Sequence, residues 1–190
     1  MTELGARLAV PRTDAPVGVA RRDVTPPTGI RAKNWGPADW ERSEGAHRPF
    51  TATALALGGD EPLVLVAVDG TWWRRVDDER SVRGRVLDAL GLNEERLIIA
   101  LSHTHAGAVL CSADAGLPGG ELIPGYLDAL ADGIAAAARE ALDARAPVLE
   151  VLHLAVEAGI GRGLLGEDLP CVDAGDGHAR RGRGIEADRG

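Results

Sequence analysis

The chain predicts an α/β fold, with a mixed, largely parallel sheet and crossover helices, from three features of its sequence. Apolar runs of strand length recur along residues 17–156. Two of the stretches between them repeat their apolar residues at helical spacing. Over residues 63–156 the order is strand, helix, strand, helix, strand, in which each helix carries the chain back so that the next strand runs parallel to the last.

Residues 17–24 read as the first strand, closed by the turn chemistry of Thr25, Pro26, Pro27, Thr28 and Gly29. From Arg31 to Arg48 the sequence holds two tryptophans and no sustained period, which predicts a long loop. Trp35 and Trp40 need cover there, and the loop is suited to form one side of a pocket. The apolar runs 52–57 and 63–68 are separated by Gly58 to Pro62 and read as two strands joined by a short hairpin loop. Val82, Val86 and Leu90 recur every fourth residue and Gly91 follows, so a helix with a glycine stop is expected. Residues 97–101 form a buried-type strand. A longer helix spans 121–144, with Ile123, Leu127, Leu130, Ile134, Ala138 and Leu142 as its apolar stripe and Pro124 in its first turn. Residues 148–156 are read as a further strand.

Beyond Leu169 the pattern ends. Residues 173–190 carry Ile185 as their one sizeable apolar side chain, too little to build a core, and read as a disordered tail or as a GC-rich gene translated out of frame. The organisation expected is a flexible segment at 1–16, one folded region at 17–169 and a tail at 170–190. At 190 residues the chain can bury a core without disulfides or a structural metal. Its net charge is -8 and its 21 basic residues are scattered, which argues against a nucleic-acid or anionic-membrane partner. Cys111 and Cys171 are too few for a disulfide framework and too far apart for a CxxC motif. No apolar run is long enough for a signal-peptide core or a membrane span, so a cytoplasmic location is expected. Nothing in the sequence specifies an oligomeric state.

Chemistry in parallel α/β sheets gathers at the carboxyl ends of strands. Two positions qualify here: Asp69 after the strand at 63–68, and Ser102, His103, Thr104, His105, Ala106 and Gly107 after the strand at 97–101. Imidazole is a common zinc ligand, and residues at i and i+2 of an extended segment face the same way, so His103 and His105 can share one cavity. The same triplet also occurs as two polar loop histidines, and a strand-terminal aspartate such as Asp69 also closes turns. His47 and His153 read as hydrogen-bonded structural histidines, and His178 lies in the tail. Trp72 and Trp73 are placed either to line an apolar groove or to pack over the sheet edge. Ser102 lacks a GxSxG elbow, which weighs against a serine hydrolase.

Taken in order, these segments resemble the amino-terminal region of the neutral and alkaline, non-lysosomal ceramidase family. Val17 to Arg21, followed by Asp23, Val24, Thr25 and Pro26, is similar to that family's opening strand and Asp-hydrophobic-Thr-Pro turn. Phe50 to Leu57 and Leu65 to Gly70 are similar to the next two strands. Ser102 to Gly107 matches the signature Thr-His-Thr-His-Ser-Gly except at its first and fifth positions. The resemblance covers residues 17–163. It implies an α/β catalytic domain, a zinc cofactor, and hydrolysis of an N-acyl amide bond in a small or lipid-like substrate by zinc-activated water.

It also implies that His103 is a zinc ligand, that His105 is a neighbouring catalytic histidine and that Arg162 holds substrate; Asp69, from its place at a strand's carboxyl end, is the second catalytic candidate. Gly161 stands where the family has the asparagine of an Asn-Arg pair. The family's second zinc histidine, glutamate and tyrosine have no counterpart in this sequence, so an incomplete metal site is expected. The alternative is a non-catalytic, truncated or frameshifted fragment of such an enzyme. A barrel-type amidohydrolase ranks behind both, because there the His-X-His pair sits on the first strand and here several strands precede it.

Overall fold

The computed structural model describes residues 15–147 except Pro37. The predicted strand at 148–156, Arg162 and the tail at 170–190 lie outside the described residues, as does nearly all of the segment at 1–16. Four strands and two helices follow in the order β1 (Val17–Asp23), β2 (Thr51–Leu57), β3 (Leu63–Val68), α1 (Val76–Leu90), β4 (Leu97–Leu101) and α2 (Ile123–Asp143). Every element expected within this range is present. The strands form one sheet in the order β1-β2-β3-β4.

The sheet is mixed, as expected. β1 pairs antiparallel with β2, β2 antiparallel with β3, and only β3 and β4 run parallel among the described residues. The reason lies in the connections. A short turn between β2 and β3 forces a hairpin, and the long Arg31–Arg48 loop contains no helix. Only the link from β3 to β4 holds one, α1, that returns the chain to start a parallel neighbour.

One face of the sheet is built to take a helix at close range. Ala52, Ala54 and Ala56 of β2 are fully buried, beside Gly18 and Ala20 of β1 and Val64, Val66 and Val68 of β3. Helix α2 lies on this face with Ala131, Ile134, Ala137, Ala138 and Ala141 buried. Small residues on both sides shorten the gap, and at Gly18 the fit admits no side chain: a Cβ there would stand 1.9 Å from the carbonyl oxygen of Ala141. Pro124 sits in the first turn of α2, where its missing N–H costs nothing. Tyr126 reaches from that turn to donate a hydrogen bond to the Val24 carbonyl at 3.0 Å. Its burial holds the phenol well above its ordinary pKa of 10.0, with smaller contributions from Asp23 and Asp69.

Helix α1 packs beside α2 through Val82, Val86 and Leu87. Asp77, Asp78 and Glu79 occupy its first turn, where negative charge suits the helix dipole. Gly91 ends it in the left-handed conformation, φ 66°, and returns its N–H to the Leu87 carbonyl.

The opposite face of the sheet carries an apolar row. Val19, Leu55, Leu65 and Ile98 are in register across all four strands, and Val19 and Ile98 are about half exposed, at 53% and 48%. No helix among the described residues covers it.

Candidate functional site

The adjacency of β3 and β4 brings the two carboxyl-terminal segments of interest together. Ser102 donates its N–H to the Val68 carbonyl at 2.9 Å, and Thr104 donates to the Gly70 carbonyl at 3.0 Å. The histidine loop is thereby pinned to the end of β3. The extended geometry expected from the sequence does not hold: His103 has φ 59°, the left-handed region, the one non-glycine described residue with positive φ. The two imidazoles still meet, with ring centroids 5.1 Å apart, but a turn brings them together rather than strand alternation.

Trp72 supports both rings. It stacks on His103 at 5.3 Å between centroids and 22° between planes, and contacts His105 at 5.4 Å. Trp35 meets His105 edge-on at 4.6 Å. Of the two roles open to the Trp72–Trp73 pair, packing is the one Trp73 takes. Trp73 packs against the core and bridges to Leu110, while Trp72 lies at the site. Behind Trp72 stands Arg74, its guanidinium 5.7 Å from the ring centroid and held by Asp114 at 3.0 Å.

The long loop from Arg31 to Arg48 is fastened by residues that the sequence did not single out. Asn34 is buried and donates from Nδ2 to the Gly107 carbonyl at 2.6 Å, linking the tryptophan loop to the histidine loop. Gly107 itself packs so closely under Phe50 that a Cβ would lie 3.0 Å from that ring. Arg31, also buried, pairs with Glu41, and Lys33 joins the same carboxylate at 2.9 Å. These two cations, Lys33 first, hold Glu41 below the usual carboxylate range. Asn34 and Arg31 carry no periodic signal in an irregular loop, so only their placement reveals them.

Fastened in this way, Trp35 and Trp40 stay 58% and 61% exposed and border a cavity of about 560 Å³ with Ala32, Ala38, His105 and Ala106. The expected pocket is present, and His105 is its one ionisable lining residue among the described residues. A second cavity of about 480 Å³ adjoins it through Ala106 and is bordered by His47, Arg48, Phe50, Asp69 and Thr104.

Asp69 is tied into the scaffold. Its Oδ2 accepts hydrogen bonds from the Thr51 N–H at 2.9 Å and the Thr51 hydroxyl at 3.0 Å, bracing the start of β2. The Asp-hydrophobic-Thr-Pro turn has a related local purpose. Asp23 accepts from the Thr25 N–H at 2.8 Å, and the Thr25 hydroxyl first, then this N–H, hold its carboxyl low; Thr25 Oγ1 accepts from Phe50 N–H at 2.8 Å. That bond sets Phe50 where it packs on Gly107.

No protein-family profile and no curated protein matches this sequence. Among solved structures, the chain is similar to neutral ceramidase from Pseudomonas aeruginosa, with a TM-score of 0.57 at 20% identity over 72% of this chain and 23% of that one. The chain carries part of the neutral ceramidase fold. A second structure, a ceramidase complexed with C2, agrees at a TM-score of 0.53 and 21% identity, over 72% of this chain and 22% of the other. The chain thus spans less than a quarter of the length of either ceramidase.

The ceramidase-like fold raises the question of zinc. Two imidazoles ligating one tetrahedral zinc stand with centroids about 5 Å apart, and the spacing of His103 and His105 is of that order. No group of three or more His, Cys, Asp or Glu capable of holding a metal exists among the described residues. A catalytic zinc takes about three protein ligands, so the described residues do not by themselves fit the ion.

Proposed function

We propose that this chain forms part of a hydrolase acting on the N-acyl amide bond of a lipid-like substrate. The observation that carries this reading is the placement of His105, the ionisable group of an apolar cavity bordered by Trp35 and Trp40, at the carboxyl end of β4 in a ceramidase-like fold.

In this reading the indole rings take the acyl chain by apolar contact, and burial of the chain brings its amide to the mouth of the cavity. His105, steadied between Trp35 and Trp72, takes the proton of the water that attacks the amide carbonyl and returns it to the leaving amine. His103 is the side chain assigned to zinc, with its co-ligands drawn from outside the described residues. Asp69 acts through position, holding β2 and β3 at the rim, and Arg162 is the assigned substrate-holding residue.

The test is hydrolysis of a fluorescent N-dodecanoyl amide by the purified 190-residue chain in excess zinc. Turnover is expected to fall at least a hundredfold in both His103→Ala and His105→Ala. Unchanged turnover in either variant would sink the assignment of that histidine, and in both would sink the site. The competing reading, a non-catalytic fragment, is favoured by the two-imidazole set without a third donor among the described residues. It predicts a folded wild-type chain that binds the amide, seen as tryptophan quenching, without turnover.

A further inference from the structure

We infer that the second cavity binds an anionic head group, so that the preferred ligand is an N-acyl amide whose polar end carries a carboxylate. The inference takes its cleft from the amide-hydrolase reading and adds the identity of the polar arm.

Two cavities that meet at Ala106 differ in chemistry. The first, of about 560 Å³, offers indole and methyl surface and one imidazole. The second, of about 480 Å³, brings together Arg48, His47 and the Thr104 hydroxyl. An amphiphile laid across Ala106 with its chain against the tryptophans therefore puts its other end in the polar cavity. The amide between the two arms then lies beside His105.

What the polar cavity can hold is decided by which of its charged groups still have open bonding capacity. Asp69 lines it and keeps its negative charge, but its Oδ2 is taken up by both hydrogen bonds from Thr51 and it forms no ion pair with Arg48. Arg48 is the reverse case: among the described residues it makes no hydrogen bond or ion pair. The other arginines of the surrounding loops are committed, Arg31 to Glu41, Arg42 to Glu121 and Arg74 to Asp114. A guanidinium left open at a cavity favours a planar carboxylate, which it can hold through two parallel N–H bonds. A neutral hydroxylated head would leave that capacity unused.

The experiment compares binding of N-dodecanoylglycine and N-dodecanoylethanolamine to the purified chain by titration calorimetry. The two ligands share the acyl chain and differ in the charge of the head. The glycine conjugate is expected to bind about five- to tenfold more tightly, the order of one charge-assisted contact at a partly open site. Arg48→Gln, an exposed substitution checked for folding by circular dichroism, is expected to bring the two affinities together. Trp35→Ala is expected to weaken both ligands alike. Equal affinities in the wild type, a preference that survives Arg48→Gln, or no binding of either ligand overturns the inference. Because binding is read without turnover, an inert chain that still prefers the carboxylate contradicts only the hydrolase reading. Hydrolysis of both amides with no preference contradicts only this one.

Discussion

Single residues at this site owe their positions to bonds made far along the chain. Asn34 contacts Gly107 across 73 residues, and Thr51 holds Asp69 across 18. Removing the acceptor in Asp69→Ala leaves the Thr51 N–H without its partner, and a loss of about 1–3 kcal/mol in urea unfolding is expected. Asp69→Asn keeps an acceptor oxygen and is expected to cost less. A stability change ordered the other way would mean that the charge of Asp69, rather than its hydrogen bonds, is what matters. Tyr126 supports a prediction in pH. Its folded pKa is raised by burial above the 10.0 of an unfolded chain, so folding opposes ionisation. The stabilisation is full below about pH 10 and is lost as pH rises beyond it. Urea midpoints are expected to fall above pH 10 in the wild type and to flatten in Tyr126→Phe, which also forfeits the bond to Val24 and about 0.5–1.5 kcal/mol at neutral pH. An identical alkaline slope in both proteins would remove Tyr126 as the cause.

At the scale of elements, the close seat of α2 on β1 and β2 is the feature most exposed to test. Gly18→Ala places a methyl group against the Ala141 carbonyl and is expected to destabilise by about 1–3 kcal/mol, measured by thermal or urea unfolding. Gly91→Ala acts by another route, forcing an L-residue into the left-handed cap of α1, for an expected loss of about 1 kcal/mol. A neutral Gly18→Ala would mean that α2 shifts freely on the sheet. Much of this level was legible in advance. The spacing of Val82, Val86 and Leu90 and the stop at Gly91 located α1, and the apolar stripe with Pro124 located α2 to within two residues at its start. Periodicity and capping are local, so they survive the loss of all tertiary information. Strand direction followed from the connections: the short loop at 58–62 gave an antiparallel hairpin and the helix after β3 a parallel neighbour.

For the molecule as a whole, the described residues leave the Val19–Leu55–Leu65–Ile98 face of the sheet open to solvent. An apolar surface continuous over four strands promotes self-association. Leu65→Lys is therefore expected to raise solubility and reduce binding of an apolar dye with little effect on the unfolding midpoint, since Leu65 points away from α2. A large drop in that midpoint would show that the face is already covered.

By itself the sequence determined the α/β class, the order of the elements over residues 17–144, and the position of His103 and His105 just past a strand end. Each follows from composition, period or turn residues within about twenty neighbours. The tertiary structure alone decided that β4 lies beside β3, that His103 turns into the left-handed region, that Trp72 backs both imidazoles, and that two cavities of unlike chemistry meet at Ala106. Those features belong to loops, whose conformation is set by contacts between residues distant in sequence and not by any pattern within the loop.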